Sequence, residues 1–265
     1  MIEEMSVDAG PGRIFVKIWS ISTLRATGTP PIVLFHDSLG SVELWRDFPE
    51  RLSVATRRDV IAYDRLGWGR SDPYPGILSR GFIREEASGS FRALRNHLGL
   101  ESFIAFGHSV GGGMAVICAG AFPSDCRALI TESAQAFVED RTIEGIVDAK
   151  QAFDQEAQFD RLRKYHGDKA RWVLDSWTET WLSPEFADWR LDDDLPRVSC
   201  PLLAIHGDND EYGSVCHPRR IAAGTSGSAV VRILADCGHV PHREKQQTVI
   251  DAVTAFLDSV AASAS

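Results

Sequence analysis

The sequence predicts an α/β fold: a mostly parallel central sheet with helices on both faces and one helical insertion. Three observations carry this. Short apolar runs alternate with amphipathic stretches, as expected for strands joined by crossover helices. Most of the apolar runs end in a polar cluster, and in such sheets function collects at the carboxyl ends of the strands. Between Ile143 and Leu195 the rhythm gives way to charge-rich helical sequence holding four of the seven tryptophans.

The elements follow in order. Arg13 to Trp19 alternates, Ile14, Val16 and Ile18 against Phe15, Lys17 and Trp19, which predicts an antiparallel edge strand. Gly28-Thr29-Pro30-Pro31 breaks the chain. Ile32 to Phe35 is continuously apolar, suiting a strand covered on both faces, and ends in His36-Asp37-Ser38-Leu39-Gly40. Leu44, Phe48 and Leu52 place a helix over about 42–54. The next strand, Asp59 to Tyr63, runs into the loop Asp64-Arg65-Leu66-Gly67-Trp68-Gly69-Arg70-Ser71-Asp72. A helix over about 82–98 precedes the strand Phe103 to Phe106. Ala128 to Thr131 is a strand with Glu132 and Ser133 at its tip. In the insertion, Val173, Trp177 and Trp181 share one helical face. Strand Pro201 to His206 ends in Gly207-Asp208-Asn209-Asp210, a helix covers about 215–223, and the last strand, Ala229 to Leu234, ends in Ala235-Asp236-Cys237-Gly238-His239. A helix over about 245–260 closes the chain. The core is thus assigned to residues 1–133 and 196–265, and a helical insertion to 134–195.

Composition bounds the partners. A chain that is 44% hydrophobic and 25% charged has ample material for a core. A net charge of −9 argues against nucleic acid or an anionic membrane surface as a partner, leaving a small molecule. No apolar run approaches the roughly 20 residues that span a bilayer. The acidic start Met1-Ile2-Glu3-Glu4 does not resemble a signal peptide. Five scattered cysteines with no CxxC pair read as reduced thiols in a cytoplasmic protein. No metal and no cofactor is expected; self-association into a homo-oligomer is left open.

The chemistry centres on Gly107-His108-Ser109-Val110-Gly111, between an apolar strand and the Ala/Met/Val-rich stretch Met114 to Ala121. A serine hydroxyl is a poor nucleophile unless held exposed beside a base. A sharp strand-to-helix turn holds it, flanking glycines let the turn pack, and a helix N-terminus favours negative charge. His239, in the loop after the last strand, is the expected base, with His242 as its nearest decoy; His108 is expected to pack in the elbow. Asp210 is the expected orienting acid, with Glu132 and Asp208 as contenders. The oxyanion donors expected are the backbone N–H groups of Val110 and Ser38, each worth about 3 kcal/mol by analogy with measured donors.

Those motifs together resemble the α/β-hydrolase superfamily over nearly the whole chain. The matching pieces are Gly107 to Gly111, the His36-to-Gly40 loop, Asp64 to Ser71, Gly207 to Asp210 and Gly238-His239. The resemblance implies a Ser109–His239–Asp210 triad and identifies 134–195 with the family's cap. Its spacing of acid from glycine favours Asp210 over Asp208. It implies hydrolysis of a small ester, lactone or related acyl compound through an acyl-Ser109 intermediate. The alternatives it implies are a C–C bond hydrolase of vinylogous diketo acids, which requires a cap arginine such as Arg161, Arg163 or Arg171 in the cavity, and a ligand receptor on a hydrolase-like scaffold. One departure stands out: Asp37 occupies the position where the family usually has glycine. A structural tie of Asp37 to a neighbouring N–H is the preferred reading over repulsion of anionic substrates, since an unpaired buried charge is costly.

Overall fold

The computed structural model describes residues 1–21 and 29–263, so Gly28 of the expected break lies outside the described residues. Its centre is an eight-stranded sheet formed by β1 (Ile2–Asp8), β2 (Arg13–Trp19), β3 (Ile32–Phe35), β4 (Val60–Tyr63), β5 (Phe103–His108), β6 (Cys126–Glu132), β7 (Leu202–Gly207) and β8 (Ala229–Leu234). The order is β1-β2-β4-β3-β5-β6-β7-β8. The pairs β1–β2 and β2–β4 are antiparallel and all later pairs parallel. The edge-strand reading of Arg13–Trp19 is corrected here: β1 pairs with its outer side, so β2 is internal. The Ile2–Asp8 run escaped notice because its Glu3, Glu4 and Asp8 dilute the apolar signal, as expected of a largely exposed edge.

Helices pack on both faces. They are α1 (Phe48–Thr56), α2 (Phe82–Glu85), α3 (Ser90–Leu98), α4 (Val110–Ala121), α5 (Asp140–Ala152), α6 (Glu156–His166), α7 (Ala170–Trp181), α8 (Cys216–Gly224), α9 (Pro241–Glu244) and α10 (Gln246–Ser263). Alternation along the strands splits the core in two. Val33, Phe35, Phe103 and Ala105 pack with residues of α3 and α4, whereas Ile32, Leu34, Ile104 and Phe106 pack with α1 and α10. This two-sided burial is why β3, β4, β5 and β7 read as largely apolar runs.

Two expected helices are broken. Residues 42–45 form a short 3-10 turn, and Arg46, with φ of 56°, separates it from α1. The 82–98 segment splits into α2 and α3 at Gly89. Periodicity alone does not register such interruptions, because both halves keep the same buried face. Residues 134–195 add α5, α6 and α7 and no strand of the central sheet; an isolated bridge, Phe137 to Arg190, closes the segment at its base. Among the described residues no helix is long and apolar enough to cross a membrane.

Candidate active site

The parallel strands deliver their carboxyl-terminal residues to one edge of the sheet: His36-Asp37-Ser38 after β3, Asp64 after β4, Ser109 after β5, Glu132 at the end of β6, Asp210 beyond β7 and His239 beyond β8. Ser109 stands between β5 and α4 with φ of 56° and ψ of −126°, a strained conformation for a residue with a side chain. Both flanking glycines are required by contact. A Cβ on Gly107 would lie 2.0 Å from the Gly111 carbonyl oxygen, and one on Gly111 would lie 2.1 Å from that of Phe35. The Ser109 N–H donates to the Glu132 carbonyl at 2.8 Å, which ties the elbow to the neighbouring strand. Val110 opens α4, where a first-turn N–H has no partner within the helix.

His239 Nδ1 lies 2.9 Å from both carboxylate oxygens of Asp210. That contact places the ring proton on Nδ1 and leaves Nε2 as the basic nitrogen. Asp210 is fully buried; burial raises its carboxyl, but the His239 imidazole beside it brings the net shift below the ordinary value. Asp210 Oδ1 also accepts the Tyr212 N–H at 2.8 Å. No hydrogen bond joins Ser109 Oγ to His239 among the described residues; instead both side chains line one cavity of about 220 Å³. Catalytic hydrogen bonds are often long before substrate arrives. Glu132, the contender for orienting acid, is committed elsewhere: its Oε2 pairs with His242 Nδ1 at 2.5 Å, and both are buried. Asp208 accepts the Cys237 N–H at 3.4 Å, and among the described residues it makes no hydrogen bond to the His239 ring, whose Nδ1 is taken by Asp210.

The His36-to-Gly40 loop is pinned from several sides. His36 Nδ1 donates to the Asp37 carbonyl at 2.8 Å while its Nε2 accepts the Arg65 N–H at 3.2 Å, so the ring is neutral; burial, and then Arg65, hold its pKa well below the usual histidine value. Trp68 Nε1 donates to the Ser38 carbonyl at 2.8 Å, and Asp37 Oδ1 accepts the Leu39 N–H at 2.9 Å. The last contact is the tie expected of Asp37. Its other oxygen, Oδ2, faces His108 Nδ1 at 3.3 Å. His108 therefore does more than fill space in the elbow, a role that its place beside the serine did not disclose.

Apolar and aromatic groups form most of the remaining cavity wall, Trp177, Trp181, Tyr212 and Ile146 among them. The four tryptophans divide. Trp172 packs against Trp68 and Tyr74, and Trp189 stacks on Phe186, while Trp177 and Trp181 reach the cavity. No lysine or arginine lines the cavity among the described residues. Arg163 pairs with Asp160, Arg171 with Asp175, and Arg161 with Gln158, all on the exposed side of their helices. Gln135, missed in the sequence, lines the cavity with a buried amide oxygen that has no partner. Among the described residues one group, His108, Glu132 and His242, has metal-ligand atoms within 4.8 Å of one another. Protein partners already take up most of it: His108 faces Asp37 and the His239 carbonyl, and His242 takes Glu132.

The chain resembles known proteins. A proline iminopeptidase of Lactobacillus helveticus is 24% identical over 273 aligned positions, covering 86% of this chain and 90% of that protein. A 2-hydroxy-6-oxononadienedioate/2-hydroxy-6-oxononatrienedioate hydrolase of Dechloromonas aromatica is 28% identical over 247, covering 80% and 81%. The enol-lactonase of Burkholderia xenovorans LB400 superimposes with a TM-score of 0.73 at 18% identity, over 96% of this chain and all of that one. The family model for the alpha/beta hydrolase fold matches residues 30–166, just over half of the sequence. The chain belongs to the α/β-hydrolase fold family and is a hydrolase of that type.

Proposed function

We propose that the protein hydrolyses a small, uncharged ester, lactone or related acyl compound through an acyl-Ser109 intermediate. His239 Nε2 takes the Ser109 proton as Oγ attacks the carbonyl carbon. The tetrahedral oxyanion is held by the N–H groups of Val110 and Ser38. His239 then returns the proton to the leaving group and activates water for the second half-reaction. Asp210 fixes the His239 tautomer and stabilises the imidazolium that forms. Residues 134–195 act as a cap, with Trp177 and Trp181 walling the acyl or alcohol portion. The five free thiols suit a cytoplasmic setting.

One observation carries the choice of substrate class: the cavity has carboxylates, Asp37 and Glu211, and no lysine or arginine among the described residues. The D. aromatica relative is named for a dioate, a doubly anionic substrate. A carboxylate entering this cavity would be desolvated beside Asp37 and Glu211 with no lysine or arginine to pair with, which is costly. The C–C hydrolase reading therefore has less support than the acyl reading.

The test is a fluorophosphonate probe followed by turnover of p-nitrophenyl butyrate. Labelling is expected at Ser109 alone, and Ser109→Ala is expected to lose labelling and steady-state turnover together. Turnover retained in Ser109→Ala would remove the nucleophile assignment. A folded, unlabelled enzyme with no steady state would favour a receptor. The same ester bearing a carboxylate on its acyl chain is expected to show at least about a tenfold lower kcat/KM, as an unpaired charge in the cavity demands.

A further inference from the structure

His108 joins the two loops on which the proposed chemistry depends. It lies at the end of β5, next to Ser109, and is buried. Its Nδ1 faces Asp37 Oδ2 at 3.3 Å, in the loop that supplies the Ser38 N–H. Its Nε2 lies 2.8 Å from the backbone carbonyl of His239, the residue that supplies the base. Both partners are acceptors. A neutral imidazole has one N–H and can serve only one of them; an imidazolium serves both. Asp37 is the residue that departs from the family's usual glycine, and the imidazolium gives its carboxylate a counter-ion.

We propose that His108 is a positioning residue that, as an imidazolium paired to Asp37, straps the oxyanion loop to the backbone of His239 and so sets the spacing between oxyanion donor and base. The inference rests on the acyl-enzyme reading above. The charges around the ring agree with it. Asp37 and Glu132 face it from the ends of β3 and β6, with His239 and His242 on the segment after β8; His36 and Arg243 act on it through Asp37. Burial lowers the His108 pKa, but the Asp37 hydrogen bond and the two carboxylates more than offset that and raise it above the ordinary value. A raised pKa means that the strap is intact at low and neutral pH and is lost as pH rises through the folded value. The loss leaves a carboxylate facing a nitrogen lone pair. Tyr212, whose ring is 4.7 Å from that of His239, does not titrate in the same range, since burial and nearby carboxylates push it up to about 12.

The experiment combines nitrogen-15 NMR of the histidine rings with pH-dependent kinetics on p-nitrophenyl butyrate. In the wild type at neutral pH, His108 is expected to show two similar, protonated ring nitrogens, its signals assigned by their loss in His108→Phe, or in His108→Asn should the first not fold. Asp37→Gly is expected to lower kcat about tenfold with KM within about twofold, because misplacement acts on the transition state. Asp37→Asn keeps both contacts with a neutral ring, the amide donating to Nδ1. It is therefore expected to recover most of that loss and to remove the alkaline limb of the kcat profile. A neutral His108 in the wild type would overturn the proposal. So would Asp37 variants that shift melting temperature while kcat and its alkaline limb stay as in wild type. Because the NMR reading needs no turnover, its failure in protein that still labels at Ser109 would reject the strap and leave the acyl-enzyme reading standing.

Discussion

Two buried carboxylate–histidine pairs sit side by side at the carboxyl edge of the sheet, and they have opposite outlooks. Asp210 and His239 meet at 2.9 Å, with the ring nitrogen away from Asp210 left free beside the cavity that also holds Ser109. Glu132 and His242 meet at 2.5 Å, sealed between the Trp45 and Phe48 rings and His108. In each, burial raises the acid and the histidine partner brings it below its ordinary value. The pairing is the same, and only its exposure differs. A carboxylate–histidine pair does chemistry when its second ring nitrogen reaches a reactant; otherwise it is a buried polar contact whose neighbours must satisfy it.

The largest expected effect breaks this comparison at the exposed pair. His239→Ala, and to a similar degree Asp210→Asn, are expected to lower kcat by roughly 10³- to 10⁴-fold, the scale seen when a triad member is lost or its tautomer reversed. KM is expected to change little. The check is steady-state kinetics on p-nitrophenyl butyrate with circular dichroism to confirm the fold. A loss below about tenfold in either variant would move the base or its orienting acid elsewhere, with His242 and Glu132 the next to test.

The sealed pair is expected to show the reverse. His242→Phe takes away the hydrogen-bonded partner of Glu132 and leaves only the His108 ring near its charge, and removing one partner of such a pair costs about 3–5 kcal/mol. Glu132 Oε1 already has no hydrogen-bond partner, so no second hydrogen bond takes up the loss. Urea unfolding is expected to show that loss, with kcat of the folded fraction within about threefold of wild type. A variant as stable as wild type but catalytically dead would mean that the two pairs had been assigned to the wrong roles.

Much of this site could be read from the residues, for a physical reason. An elbow needs glycine where a Cβ would strike a carbonyl, so Gly107 and Gly111 are written into the sequence. The parallel sheet then gathers Asp210 and His239, which are far apart in the chain, at one edge. The residues ranked Asp210 ahead of Glu132 and His239 ahead of His242, but did not disclose that Glu132 and His242 pair with each other. Glu132 and Asp210 both end strands, and His239 and His242 are three residues apart. Only packing shows that α9 turns His242 inward. The edge strand β1 was hidden because an exposed strand has no need of an apolar pattern. The breaks at Arg46 and Gly89 left no periodic trace either. The charge of the cavity was open because helical sequence does not tell which way Arg161, Arg163 or Arg171 points.

The smallest expected effect sharpens the contrast between a histidine kept basic for work and histidines kept neutral for structure. His166 accepts the Gly69 N–H at 2.9 Å and reaches the Leu39 carbonyl at 3.0 Å, fastening the end of α6 to the His36-to-Gly40 loop. His217 accepts the Ala136 N–H at 3.1 Å beside Glu139. Burial is the main cause that lowers each to about 4. In the unfolded chain both return to near 6.5. Between pH 6.5 and 4 the unfolded state then binds more protons, so stability rises with pH across that window and is fully present above it. At pH 5 each histidine is expected to cost up to about 2 kcal/mol relative to pH 7. Denaturant melts at both pH values check the sum. His166→Gln, whose amide can accept from Gly69 and donate to Leu39, is expected to remove its share of that slope. A slope unchanged by His166→Gln would show that His166 is not held neutral.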